Sequence, residues 1–175
     1  MGQSYCAAVR QGIDEWNQRY HDTEYGFALA TDDELFERLI LEINQAGLSW
    51  LTILKKRAAF TRAYDGFQIA KIAQYGEADR ARLLADAGII RNRLKVNAAI
   101  ENARRIQALG SFTNWLDDRR GLTLEAWAKE FKRVFLFTGG EIVREFLVST
   151  AYLPGAHDSD CPISQQPGSR LKPSR

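Results

Sequence analysis

Cysteine and histidine are scarce in this chain, with two of each in 175 residues. That scarcity excludes a disulfide-dense scaffold. Long apolar runs are missing as well. None approaches the ~18 residues a membrane helix requires, and the N-terminus lacks the apolar core of a signal peptide. An excess of one charge is also absent: 24 Lys and Arg against 22 Asp and Glu leave a net +2, too little to indicate nucleic acid by itself. These absences set the expectations of a cytoplasmic protein with reduced thiols and no membrane association. At 45% hydrophobic, the chain is long enough to bury a core.

The few cysteines and histidines are placed unevenly. Cys6 and His21 form C-x14-H near one end, and His157 and Cys161 form H-x3-C near the other. Two thiolates and two imidazoles suit tetrahedral zinc, and the H-x3-C spacing matches metal-ligand pairs. One ion bound by all four would tie the two ends of the chain together. Two other readings stand beside it: two unrelated thiols with ordinary histidines, and a Cys6–Cys161 disulfide.

The apolar pattern is helical almost throughout, so the expected fold class is all-α. Thr31-Asp-Asp-Glu34 is a capping box. Leu35, Phe36, Leu39, Ile40 and Ile43 then recur at helical spacing. Gly47 suits a left-handed helix end and Ser49 the cap of a second helix through Trp50, Leu51, Ile53 and Leu54. A short helix is expected around 79–85, and a longer one through Val96, Ala99, Ile100, Ala103 and Ile106. Trp115, Trp127 and Phe131 mark two more helical pieces, and Gly139-Gly140 precede a last helix through Phe146. Val134-Phe-Leu-Phe137 has strand composition but no partner. Residues 1–161 are read as one helical domain. Residues 162–175 hold three prolines and basic residues without periodicity, a disordered basic tail.

Two segments could carry chemistry. Glu42 is the charged residue nearest the apolar face of its helix, across a tight turn from Trp50. Such a carboxylate is often salt-bridged, and such a tryptophan is more often core. As the floor of a pocket, the pair would accept from a base edge and stack on its ring. The stretch Leu83 to Lys95 reads as helix, glycine turn, helix. Free N–H groups at the second helix start, with Arg91, Arg93 and Lys95, suit a phosphate. An ordinary αα-hairpin with a solvated basic face fits the same letters.

Taken together, these segments resemble the DNA-3-methyladenine glycosylase I family. The resemblance runs through Tyr20-His-Asp-x-Glu-Tyr-Gly26, Glu42-x-x-Gln-Ala-Gly-Leu-Ser-Trp50, Leu54-Lys-Lys-Arg57, Asp86-Ala-Gly-Ile-Ile-Arg91 and His157-x3-Cys161. It covers nearly the whole chain apart from the tail. It implies the helix-hairpin-helix glycosylase fold, with a structural zinc on Cys6, His21, His157 and Cys161. It implies Glu42 as the catalytic, base-binding carboxylate, with Tyr20, Tyr25 and Trp50 around the base. The DNA backbone would be gripped by Gly88, Ile89, Ile90, Arg91, Arg93 and Lys95. The implied activity is hydrolysis of the N-glycosidic bond of alkylated purines such as 3-methyladenine, in base excision repair of double-stranded DNA. A monomer without lyase activity is expected, since no lysine stands out for a Schiff base. Two departures bear on selectivity: Ala8 stands where the family often has tryptophan, and Tyr25 replaces a tryptophan. They motivate an alternative, a DNA-binding or damage-sensing module with little turnover. A catalytic zinc hydrolase is a third reading and requires a ligand replaceable by water.

Overall fold

The computed structural model describes residues 4–164. Most of the basic tail expected at 162–175 therefore lies outside the described residues. Residues 162–164 turn back, with Ser164 N–H and Oγ both donating to Cys161 O at 3.0 and 2.7 Å.

The chain forms α1 (Tyr5–Arg10), α2 (Glu15–Thr23), α3 (Asp32–Gln45) and α4 (Trp50–Ala63). A 3₁₀ turn (Asp65–Phe67) and α5 (Ile69–Ile72) lead to α6 (Glu77–Ala85) and α7 (Arg93–Leu109). Last come α8 (Phe112–Asp117), α9 (Leu124–Val134) and α10 (Gly140–Ser149). Among the described residues there is no strand. The fold is all-helical, as the periodicity predicts.

α3 is the central element, packed against α4, α7, α8 and α10. Its start is the capping box expected from the letters: Glu34 N–H donates to Thr31 Oγ1 at 3.2 Å, and Thr31 N–H donates back to Glu34 Oε2 at 3.0 Å. Leu35, Phe36, Leu39, Ile40 and Ile43 are all fully buried. Gly47 takes φ +81° and Ser49 Oγ accepts from Thr52 N–H at 3.2 Å, so the α3–α4 turn is set locally. A second aromatic layer of Phe112, Trp115, Trp127, Phe131, Phe135 and Phe146 joins α8, α9 and α10. The strand-like segment after Val134 instead lies against the buried Asn102 amide. That amide accepts from Leu136 N–H at 2.8 Å and donates to Leu136 O at 3.0 Å. One side chain thus supplies both bonds a neighbouring strand would have made.

The two N-terminal helices are short and carry no strong apolar stripe. Ser4 caps α1 and Asp14 caps α2. α1 is clasped to the C-terminal loop by Ser4 Oγ to Asp158 Oδ2 at 2.6 Å and by Arg10 to Asp158 and Asp160 at 3.2 and 3.0 Å.

Candidate functional site

A short turn joins α3 to α4, and Glu42 on one and Trp50 at the head of the other line a shared cleft of about 440 Å³. Tyr20 of α2 and Tyr25, just beyond it, also line it. The Tyr20 ring lies 5.1 Å from Trp50 and 5.9 Å from Tyr25, both tilted. The four pocket residues picked from the sequence are therefore neighbours in space.

Glu42 is 5% exposed, and among the described residues no hydrogen bond ends on its carboxylate. Burial pushes its pKa up to about 8; Arg38, one turn earlier, opposes that rise and Glu145 adds to it. The Tyr20 hydroxyl and Trp50 Nε1 are buried with no hydrogen-bond partner. Ser149 sits beside the Tyr20 hydroxyl but turns its own hydroxyl to Phe146 O at 3.1 Å. Buried polar groups without partners are costly, by about 1–3 kcal/mol each. The Tyr20 and Trp50 groups belong to residues that line the cleft, while a third such group, Trp127 Nε1, lies in the aromatic core.

A charged network packs against Tyr20. The fully buried Arg38 guanidinium lies 5.0 Å over the Tyr20 ring and donates to Ser149 O at 3.3 Å. Glu24 binds Arg57 at 2.7 Å and Arg38 at 3.4 Å, and Arg57 also meets Glu37 at 2.8 Å. The glutamate of the Tyr20–Gly26 motif thus pairs with the arginine that lies over Tyr20. Gly26 has φ +81°, and a Cβ there would fall 2.5 Å from Ala156 Cβ. Only glycine lets this loop press on the C-terminal segment.

Several pocket residues escaped sequence reasoning. Tyr5 stands edge-on to Tyr25 at 5.1 Å and donates to Asn17 Oδ1 at 2.9 Å. It occupies α1, the helix that bears Ala8, and supplies an aromatic wall that Ala8 cannot. Its adjacency to Cys6 was the available signal, since a residue next to a ligand is held where the ligand is held. Trp16 does not fill that role: it is 45% exposed and lines a separate groove with Arg19 and Lys55. Arg144 and Glu145 of α10 also reach the pocket, from more than 90 residues beyond Trp50.

Behind the pocket, Cys6, His21, His157 and Cys161 come together, with ligand atoms all within 4.8 Å of one another. His21 Nε2 is 3.2 Å from Cys6 Sγ, 3.2 Å from His157 Nδ1 and 3.8 Å from Cys161 Sγ. His157 Nδ1 is 3.7 and 3.8 Å from the two sulfurs. A zinc tetrahedron with bonds of about 2.0 Å to nitrogen and 2.3 Å to sulfur has edges of roughly 3.3–3.8 Å, and these five separations fall close to that scale. The other ring nitrogens are oriented too: His21 Nδ1 lies 2.8 Å from Asp22 Oδ1, and His157 Nε2 lies 2.8 Å from Tyr25 O. Both thiols are free, so the disulfide alternative is not formed. The cluster can hold a metal ion.

The predicted hairpin is a tight turn between α6 and α7. Lys56 Nζ donates to Ala87 O and Gly88 O at 3.2 and 3.3 Å, and a Cβ at Gly88 would meet Ala59 Cβ at 3.0 Å. The hairpin is thus locked onto α4. Gly88 N–H donates to Asp86 Oδ1 at 2.7 Å and Ile89 N–H to Asp86 O at 3.4 Å, so both amides are spent inside the turn. The Ile89 side chain is buried in the core. The N–H groups of Ile90 and Arg91 have no partner among the described residues, and the Arg91 and Arg93 side chains are exposed. Lys95 departs from the expected basic cluster. It is 5% exposed, and its ammonium donates to Asn44 O at 2.8 Å and Ala46 O at 2.7 Å, capping the C-terminal end of α3. Two residues beyond Arg93, it points to the opposite side of α7.

Among the described residues, no helix is long and apolar enough to cross a membrane. The methyladenine glycosylase family profile matches residues 10–147. DNA-3-methyladenine glycosylase 1 of Escherichia coli (strain K12) is 48% identical over 85 residues, 49% of this chain and 46% of that protein. DNA-3-methyladenine glycosylase of Haemophilus influenzae is 40% identical over 90 residues, 51% of this chain and 49% of that protein. The chain thus spans about half the length of these curated relatives in their alignments. Coverage of solved structures is wider. 3-Methyladenine DNA glycosylase I from Staphylococcus aureus, solved for the basis of 3-methyladenine recognition, superposes with a TM-score of 0.79 at 30% identity, covering 92% of this chain and 97% of that one. A tyrosine-to-phenylalanine variant of 3-methyladenine DNA glycosylase I, in complex with 3-methyladenine, gives 0.78 at 32% identity, covering 89% of this chain and 96% of that one. With its helical order, its pocket and this match over most of its length, the chain belongs to the methyladenine glycosylase family.

Proposed function

We propose that this protein hydrolyses the N-glycosidic bond of alkylated purines, 3-methyladenine in particular, in double-stranded DNA during base excision repair. The observation that carries the reading is the cleft itself. It combines aromatic walls with a buried carboxylate, hydroxyl and indole N–H that lack partners. A flipped alkylpurine supplies what each of them lacks. Its exocyclic amino group donates to Glu42, and its ring nitrogens can accept from the Tyr20 hydroxyl or Trp50 Nε1. Its ring lies among Trp50, Tyr20 and Tyr25. Methylation at N3 makes the nucleotide's base cationic, which favours aromatic faces by about 0.5–2 kcal/mol and favours the ionised form of Glu42. The cation is already a good leaving group, so strong acid catalysis is not required.

Arg91 and Arg93 with the Ile90 and Arg91 amides serve as the phosphate grip, which positions the duplex without reading its sequence. Lys95 takes no part in it. Zinc is the metal proposed for the Cys6, His21, His157 and Cys161 cluster. With four protein ligands its chemistry is structural, leaving no position for a reacting water. No lysine lines the cleft among the described residues, which supports hydrolysis without lyase chemistry. The test is incubation of the purified chain with methylated duplex DNA and chromatography of the bases set free. Release of 3-methyladenine, with abasic strands cut only on later alkali treatment, is expected. Binding to methylated duplex with no base released would leave a damage-sensing module instead.

A further inference from the structure

We propose that Glu145 is a catalytic residue of the hydrolytic step, acting on the sugar side of the pocket while Glu42 holds the base. The assignment rests on the glycosylase reading above. α10 turns Val143, Phe146 and Leu147 into the core and presents Arg144 and Glu145 to the cleft. Two carboxylates therefore share one pocket at different depths. Glu42 is enclosed at the floor, whereas the Glu145 side chain keeps 36% of its surface and stands at the mouth. Arg144 engages Glu145 Oε1, and Oε2 has no partner among the described residues. The two carboxylates sense each other, since Glu145 adds to the upward push that burial exerts on Glu42.

A base seated against the floor leaves its deoxyribose at the mouth. Positive charge sits on the alkylated ring before cleavage and moves to C1′ and O4′ as the bond breaks. A carboxylate on the base edge therefore stabilises the bound substrate at least as much as the transition state. One beside the sugar stabilises the transition state more, which is the interaction that accelerates the step. The C1′–N bond breaks with its electron pair leaving on the base, which departs neutral. The oxygen of a water bonds to C1′, and its proton passes to Glu145 Oε2 and then to solvent. The sugar is left as a 1′-hydroxyl abasic site.

The experiment is single-turnover release of 3-methyladenine from methylated duplex, read beside duplex binding, for wild type, E145Q and E145A. A positioned general base contributes about 10²–10⁴-fold. E145Q is expected to slow release at least ~100-fold with duplex affinity within about twofold, and added formate is expected to restore part of the rate to E145A. E145Q release within threefold of wild type, parallel loss of rate and affinity, or failure of formate to act on a folded E145A would overturn the assignment while leaving the glycosylase reading in place. A wild-type chain that frees no base overturns both.

Discussion

Glu42 has an ordinary pKa of 4.5 and about 8 in the folded chain, so the protein buries it as a neutral acid. The unfolded chain gives up that proton at lower pH than the folded one. Below about 4.5 the group costs least, and stability falls as pH rises from there towards 8. Glu42→Gln is expected to flatten that part of the profile and to stabilise the chain most above pH 8. Urea denaturation of both proteins from pH 5 to 9 checks it, and parallel curves would mean that Glu42 ionises freely when folded. A cationic base reverses the preference by favouring the carboxylate, so its binding near pH 7 is expected to expel a proton. Calorimetry in buffers of different ionisation enthalpy measures that release, and Glu42→Gln is expected to abolish it. Trp50 acts by area rather than charge. Trp50→Ala is expected to cost about 1–3 kcal/mol of binding for cationic and neutral bases alike, which direct titration with each would show.

At the level of elements, what could be read from the letters is what is decided locally. The Thr31–Glu34 box, Gly47 and Ser49 define α3 and α4 within a few residues, and with them the meeting of Glu42 and Trp50. Cys6, His21, His157 and Cys161 were legible because nothing else in the chain competes for their role. Lys95 was not, because direction around a helix decides between phosphate and core, and Arg91, Arg93 and Lys95 look alike in a row. Arg144 and Glu145 were not, because only tertiary packing carries α10 back to α3. Nor was α1, at six residues too short to hold together without the contacts it makes. The difference within the hairpin is testable. Arg91→Ala is expected to weaken all duplexes alike and to reduce the salt slope of binding by about one. Lys95→Met is expected to leave that slope unchanged and to cost about 1.5–3 kcal/mol of stability, since it strips charged donors from two buried carbonyls. A salt titration of both variants, with melting curves, separates the roles; a changed slope in Lys95→Met would return it to the grip.

Across the whole molecule, one cluster joins residue 6 to residue 161. Closing so long a loop removes freedom from the unfolded chain, though the cost of closure grows only slowly with length. One zinc per chain is expected by elemental analysis, with a lower Tm after chelation and in His157→Ala, and faster proteolysis at both ends. A metal-free protein with an unchanged Tm would reduce the cluster to a packing contact. The same clasp has a consequence for biosynthesis. The cleft takes Tyr5 and Asn17 from the start of the chain and Ala156 and Asp158 from near its end. A ribosome delivers these residues in order, so α3 to α9 can fold while the cleft still lacks a wall. Residues 156–161 must clear the exit tunnel before the cleft closes. A message broken upstream of them yields a chain without the residues that finish the cleft, so an interrupted translation product would lack the complete site.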